Sequence, residues 1–264
     1  MTLPVLDSAP GMKSVPPKLR AKIDSNIFEY ITAGNGLPTI VLVNGSGGPI
    51  DGWYKIFDSL AELGTVFAYN RLGVGGSSKP GVPQTGDVMV SALRALLLQT
   101  NLPPPYLLVG HSLGGLIVNL FARSFPGEVL GVVLVDATAP EDISVMAEYQ
   151  SAFQRFAQKA IDTVLGKNEF SETEHVARAV DLFDRAGPFP AIPLIVVTGG
   201  KPAMSWATPA PALAARAEHQ RWLADLSPKG RQIVARQSGH FPQFTEPSVV
   251  LDAVREAMSL PFRV

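Results

Sequence analysis

The sequence predicts an α/β protein, a mostly parallel sheet covered by helices on both faces. Three observations carry this. Short apolar runs alternate along the chain with segments of helical periodicity. Several of these runs are apolar at every position, as strands buried on both faces of a parallel sheet must be. One of them, Tyr106–Val109, leads through Gly110-His111-Ser112-Leu113-Gly114 into a helical pattern, so that a G-x-S-x-G sits between strand and helix.

The elements follow in order. Residues 1–22, with Pro4, Pro10, Pro16 and Pro17, read as a leading arm without a strong element. Asn26–Thr32 alternates apolar and polar and reads as an outer antiparallel strand. Thr39–Val43 is a continuous β-branched run, a buried strand, and it opens into Asn44-Gly45-Ser46-Gly47-Gly48-Pro49. Ligands of open α/β sheets bind at such a place. Its backbone N–H groups are candidates for an anion site, Ser46 first and Gly47 second; no G-K-[ST] follows, which argues against a Walker-type phosphate loop. Trp53–Glu62 reads as a helix and Thr65–Tyr69 as a buried strand. The Gly-rich loop Asn70–Ser78 opens no helix, and no acidic residue follows at the spacing of a dinucleotide site.

Thr85–Gln99 carries a helical pattern. Tyr106–Val109 and Leu113–Arg123 are the strand and helix around the G-x-S-x-G, with Leu116, Leu120 and Phe121 on one face. Val129–Val135 is a buried strand ending in Asp136. The stretch from Ala139 to about Ala186 holds two helical patterns, Ile143–Leu165 and Glu172–Ala186, too long for a simple crossover, and is expected to form a small helical cap. Ile192–Thr198 and Gln232–Arg236 read as strands. Pro211–Leu226 and Glu246–Met258 read as helices, and no linker divides the chain.

The G-x-S-x-G has a physical rationale. A turn from strand to helix within a few residues puts Ser112 in a strained backbone conformation that only small neighbours tolerate. Gly110 and Gly114 let strand and helix approach, and the Ser112 hydroxyl is pushed out above the sheet. The next N–H, that of Leu113, stands at a helix N-terminus, where partial positive charge favours an anion.

The whole chain has 264 residues, 46% hydrophobic and 17% charged, with net charge −1. It can bury a large core and carries no basic stripe for nucleic acid. There are no cysteines, which excludes disulfides, thiolate metal sites and a cysteine nucleophile. No apolar run approaches the length of a membrane span. The N-terminus lacks the pattern of a signal peptide, and a cytoplasmic location is expected.

Four motifs together make the chain resemble the α/β-hydrolase superfamily from about Asn26 onward. They are Asn44-Gly45-Ser46-Gly47-Gly48, Arg71-Leu72-Gly73-Val74-Gly75-Gly76-Ser77, Gly110-His111-Ser112-Leu113-Gly114-Gly115 and Ser238-Gly239-His240. The resemblance implies an eight-stranded sheet in a single domain, 1–264, with the cap inserted after the sixth strand at about 139–190. It also implies a triad in chain order serine, acid, histidine. Ser112 then supplies the nucleophile and His240, in the loop after the last strand, the base. Most members carry the acid after the strand preceding the last, but here Thr198–Met204 has no carboxylate before Glu218. Asp136 is the expected acid, as in those members that place it after the sixth strand. A cap-start role for Asp136, with Glu218 or Asp225 as the acid, remains the alternative. Asn44 stands where many relatives have histidine, and Asn70 where an aspartate is common.

The expected function is a serine hydrolase of carboxylic esters or similar acyl compounds. Ser112, His240 and Asp136 would form the triad, and the N–H groups of Ser46 and Leu113 the oxyanion hole. Asn44, Gly45, His111, Phe153 and Phe241 are expected at the substrate pocket. His111 would support the elbow by packing, while His175 and His219 read as surface residues. No metal or cofactor is expected, and the expected partner is a small ester or acyl molecule. A serine at the elbow argues against the dehalogenase and epoxide-hydrolase branches, which use aspartate there. Lactonase, amidase, C–C hydrolase and acyltransferase activity, or a slow-turnover receptor, are the alternatives on the same residues.

Overall fold

The computed structural model describes residues 15–142, 170, 172–175, 181–183, 185–201 and 210–260. Eight strands form one sheet: β1 (Leu19–Ile23), β2 (Asn26–Ala33), β3 (Thr39–Val43), β4 (Thr65–Tyr69), β5 (Tyr106–His111), β6 (Val129–Val135), β7 (Leu194–Gly199) and β8 (Gly230–Ala235). Their order is β1-β2-β4-β3-β5-β6-β7-β8. The β1–β2 and β2–β4 pairs are antiparallel, and every other pair is parallel.

Strand side chains alternate between two apolar layers, as the period of two dictates. Val41, Val43, Phe67, Tyr69, Tyr106 and Leu108 face one layer. There they meet helices α2 (Gly86–Gln99) and α3 (Leu113–Ser124). Ile40, Leu42, Val66, Ala68, Leu107 and Val109 face the other layer. It is covered by the 3-10 turn Ile50–Trp53, helix α1 (Phe57–Ala61) and the closing helix, here α7 (Pro247–Ser259). Three more described helices are α4 (Glu172–His175), α5 (Ala210–Asp225) and α6 (Pro242–Thr245).

Two sequence expectations need correction. The leading arm is not featureless, because Leu19-Arg20-Ala21-Lys22-Ile23 forms the edge strand β1 and turns into β2 at Asp24, whose φ is +52°. Its period-two signal is weak because Leu19, Arg20 and Lys22 are exposed at the sheet edge. The helix expected at Trp53–Glu62 is split into the 3-10 turn and the five-residue α1. The buried Trp53, Ile56, Phe57 and Leu60 satisfy the same apolar spacing in either arrangement. The pattern Ile143–Leu165 and most of Glu172–Ala186 lie outside the described residues.

Candidate active site

The site is built at the carboxyl ends of β3, β5, β6 and β8. At the β5–α3 junction, Ser112 adopts φ +51° and ψ −122°, a conformation costly for a side chain larger than glycine's. The packing around it enforces this. A Cβ at Gly114 would collide with the backbone carbonyl oxygens of Val43 and Asn44, so only glycine lets α3 start this close to β3. The Ser112 carbonyl accepts from the N–H groups of Gly115 (2.9 Å) and Thr138 (3.0 Å), which pins the turn on both sides.

His240 reaches back from the loop after β8. Its Nδ1 lies 2.6 Å from Asp136 Oδ2 and its Nε2 lies 3.1 Å from Ser112 Oγ. An ionised carboxylate only accepts, so Nδ1–H donates to Asp136 and the neutral Nε2 accepts from the Ser112 hydroxyl. Asp136 is buried at the end of β6 with φ +40°. Its Oδ1 accepts from the Gly199 N–H at 2.9 Å, and its Oδ2 also accepts from Arg216 Nη2 at 2.8 Å. Burial pushes this carboxyl's pKa up, but the His240 hydrogen bond, the Arg216 guanidinium and the Gly199 N–H outweigh it and hold the group below the usual carboxylate value. Glu218 and Asp225 are both exposed.

The loop after β3 is held by two residues the sequence reading gave no role. Arg71, buried in the loop after β4, donates from Nη1 to the Asn44 carbonyl (2.7 Å) and from Nη2 to the Gly45 carbonyl (2.6 Å). In a trans peptide C=O and N–H point opposite ways, so the Ser46 N–H faces away from Arg71. Glu172 pairs with Arg71, Nε to Oε2 at 2.5 Å and Nη2 to Oε1 at 3.0 Å, and Glu172 Oε1 accepts the Gly47 N–H at 2.7 Å. The Ser46 side chain bonds to Glu172 as well. Burial acts to raise the Glu172 carboxyl's pKa, but Arg71 and these donors hold it low. Gly47, the second candidate donor, is therefore engaged by a carboxylate.

The remaining expected residues are placed as follows. Asn44 is buried and donates to the Pro49 carbonyl at 2.6 Å, closing the loop. Gly45 lies against the elbow, where a Cβ would sit 3.0 Å from Ser112 Cβ and 3.1 Å from His111 Nδ1. His111 does more than pack: its Nε2–H donates to the His240 carbonyl at 2.7 Å and Trp53 meets its ring edge-on. Burial drives its pKa from 6.5 down to about 4, so it stays neutral at pH 7. Phe241 is half exposed; its ring meets that of His240 edge-on at 5.0 Å and lies tilted against that of His111 at 5.1 Å. Phe153 lies outside the described residues.

Two expectations for outlying histidines are corrected. His219 is half-buried and its Nδ1 lies 2.7 Å from the buried Asp142. His175 faces an apolar cavity beside Leu113, with Met89, Leu116, Ile117 and Leu120. Arg71 stood in a motif the sequence displays. Glu172, Arg216 and Asp142 had no local signal, because tertiary structure alone brings them to the site.

Comparison with known proteins agrees with this architecture. A family model described as alpha/beta hydrolase fold matches residues 38–167. The chain belongs to the α/β-hydrolase superfamily. It is 25% identical over 223 residues to the uncharacterized protein YqjL of Bacillus subtilis (strain 168), covering 82% of each chain. It is 29% identical over 145 residues to the (Lyso)-N-acylphosphatidylethanolamine lipase of Homo sapiens, which is 51% of this chain and 40% of that protein. Among solved structures, Est816, described as an N-acyl homoserine lactone degrading enzyme, superposes with a TM-score of 0.67 at 20% identity, over 90% of this chain and 99% of that one. A thermophilic esterase from Thermogutta terrifontis gives 0.63 at 20% identity, over 91% and 97%. At these identities the structural likeness shows the fold alone. The family and the lipase relative support hydrolase activity. Among the described residues, no helix is long and apolar enough to cross a membrane.

Proposed function

We propose that the protein is a serine hydrolase that cleaves a small carboxylic ester, or a similar acyl bond, through an acyl-enzyme. The single observation that carries this reading is the hydrogen-bonded line from Ser112 Oγ to His240 to Asp136, with distances of 3.1 and 2.6 Å. Ser112 Oγ attacks the carbonyl carbon as His240 Nε2 takes its proton, and Asp136 stabilises the imidazolium. The N–H groups of Leu113 and Ser46 receive the oxyanion, each worth about 3–4 kcal/mol in comparable sites. His240 returns the proton to the leaving alcohol, then activates the water that releases the acid.

The described residues Phe170 and Glu172–His175, between β6 and β7, belong to a cap over this site within a single hydrolase domain. Its support is that Glu172 reaches Arg71 and Gly47, the Phe170 carbonyl accepts from Gln84 N–H, and His175 closes the cavity beside Leu113.

The test is hydrolysis of a chain-length series of p-nitrophenyl esters by wild type, Ser112→Ala, His240→Ala and Asp136→Asn. Each variant is expected to lose at least about 10³-fold in kcat. An Asp136→Asn variant with wild-type activity would remove Asp136 from the mechanism. A wild type without turnover on any ester would overturn the esterase reading.

A further inference from the structure

The acid carries a second ion pair that a serine–histidine–carboxylate line does not require. Arg216, on α5, donates from Nη2 to Asp136 Oδ2 (2.8 Å) and to the Asp136 carbonyl (3.1 Å). Oδ2 is the same oxygen that binds His240. From Nη1 Arg216 reaches Asp142 Oδ2 at 3.3 Å. Asp142 is buried, takes the Ala139 N–H on Oδ2 (2.8 Å), and meets His219 Nδ1 through Oδ1 (2.7 Å). One cation thus lies between two buried carboxylates, one of which orients the base.

We propose that Arg216 and Asp142 form a charge balance that positions Asp136 and tunes His240. The inference rests on the reading of His240 as the base, and it concerns two positioning residues that do not touch the reacting atoms. Two effects oppose each other. The guanidinium fixes the carboxylate by bridging its Oδ2 and its own carbonyl, which keeps Oδ2 aimed at Nδ1. It also places a positive charge beside the imidazolium that must form during attack, which opposes protonation. Asp142 offsets that charge from the far side. The charged and titratable groups around His240 among the described residues are His111 from the elbow, Asp136 from the end of β6 and Arg216 from α5. Asp142 and His219 stand behind Arg216.

The two substitutions therefore have opposite signs. Arg216→Gln removes the cation and lets His240 protonate at higher pH. Asp142→Asn leaves the cation uncompensated and moves protonation to lower pH. A packing role for these residues would not produce opposite shifts.

The experiment is an NMR titration of the imidazole signals in the full-length protein. It has four histidines, and His240 is assigned with His240→Gln. The His240 midpoint is expected to rise in Arg216→Gln and to fall in Asp142→Asn. Arg216→Lys, which keeps the cation, stays near wild type. The acid limb of kcat/KM for a p-nitrophenyl ester moves with the midpoint, a change of about tenfold per unit below it. Midpoints that stay in place, or move the same way in both variants, overturn the proposal. So does a Lys variant that shifts as far as the Gln variant. The NMR readout needs no turnover, so opposite shifts in a protein inert toward esters would overturn the esterase reading and leave the charge balance standing.

Discussion

At the scale of single residues, the site depends on where atoms are missing as much as on where they are present. Gly114 is the clearest case, because the atoms its Cβ would meet belong to the backbone of β3 and of the loop after it, which cannot rotate away. Gly114→Ala is expected to destabilise the fold by at least about 3 kcal/mol, read from urea unfolding, and to abolish ester hydrolysis, since relief requires moving Asn44 and Gly45. Arg71 holds two carbonyls and one carboxylate at once through a planar fork. Lysine keeps the charge but has no fork. Arg71→Lys is expected to lower kcat by tenfold or more with a smaller change in KM, because the Ser46 N–H loses its fixed direction while the pocket walls remain. A raised KM with kcat unchanged, measured by steady-state kinetics, would show that Arg71 serves binding instead.

At the scale of elements, α4 is only four residues long, yet its Glu172 ties the segment between β6 and β7 to the loops after β3 and β4. Removing one partner of a buried ion pair strands the other. Glu172→Ala is expected to cost about 3–5 kcal/mol in denaturant unfolding, and a cost under 1 kcal/mol would show that the pair is not shut off from water. The central elements were legible in the sequence because their signals are strong and local. Thr39–Val43, Thr65–Tyr69 and Val129–Val135 are apolar at nearly every position and were read with the bounds the structure gives. The elbow was legible because a motif and its flanking strand and helix coincide. β1 was hidden because an edge strand buries little and so shows little pattern. Ser112, His240 and Asp136 were brought into view by motif and strand-end position. Glu172, Arg216 and Asp142 sit in ordinary helical or loop sequence, and nothing local distinguishes them from solvated charges.

At the scale of the whole molecule, the buried His111 links stability to pH. Folding lowers its pKa from 6.5 to about 4, so the unfolded chain binds the proton more tightly. The stabilisation is complete above about pH 6.5 and is lost as pH falls toward 4. Unfolding free energy is expected to drop by about 2 kcal/mol from this group between pH 7 and pH 5. His111→Gln retains a donor for the His240 carbonyl and does not titrate, so its urea midpoints at the two pH values should differ by correspondingly less. An unchanged difference would assign the acid sensitivity to other groups.

The line through the site joins distant parts of the chain: His240 lies 128 residues beyond Ser112 and 104 beyond Asp136. During synthesis the elbow, with β5, α3 and β6, leaves the ribosome long before the strand that delivers the base. A nascent chain that has folded this far holds its serine in the strained turn with no imidazole to draw off the proton. Under the proposed mechanism, chemical reactivity would therefore arrive last, and a copy broken off before β8 would carry an inert hydroxyl on a sheet rather than a loose acylating agent.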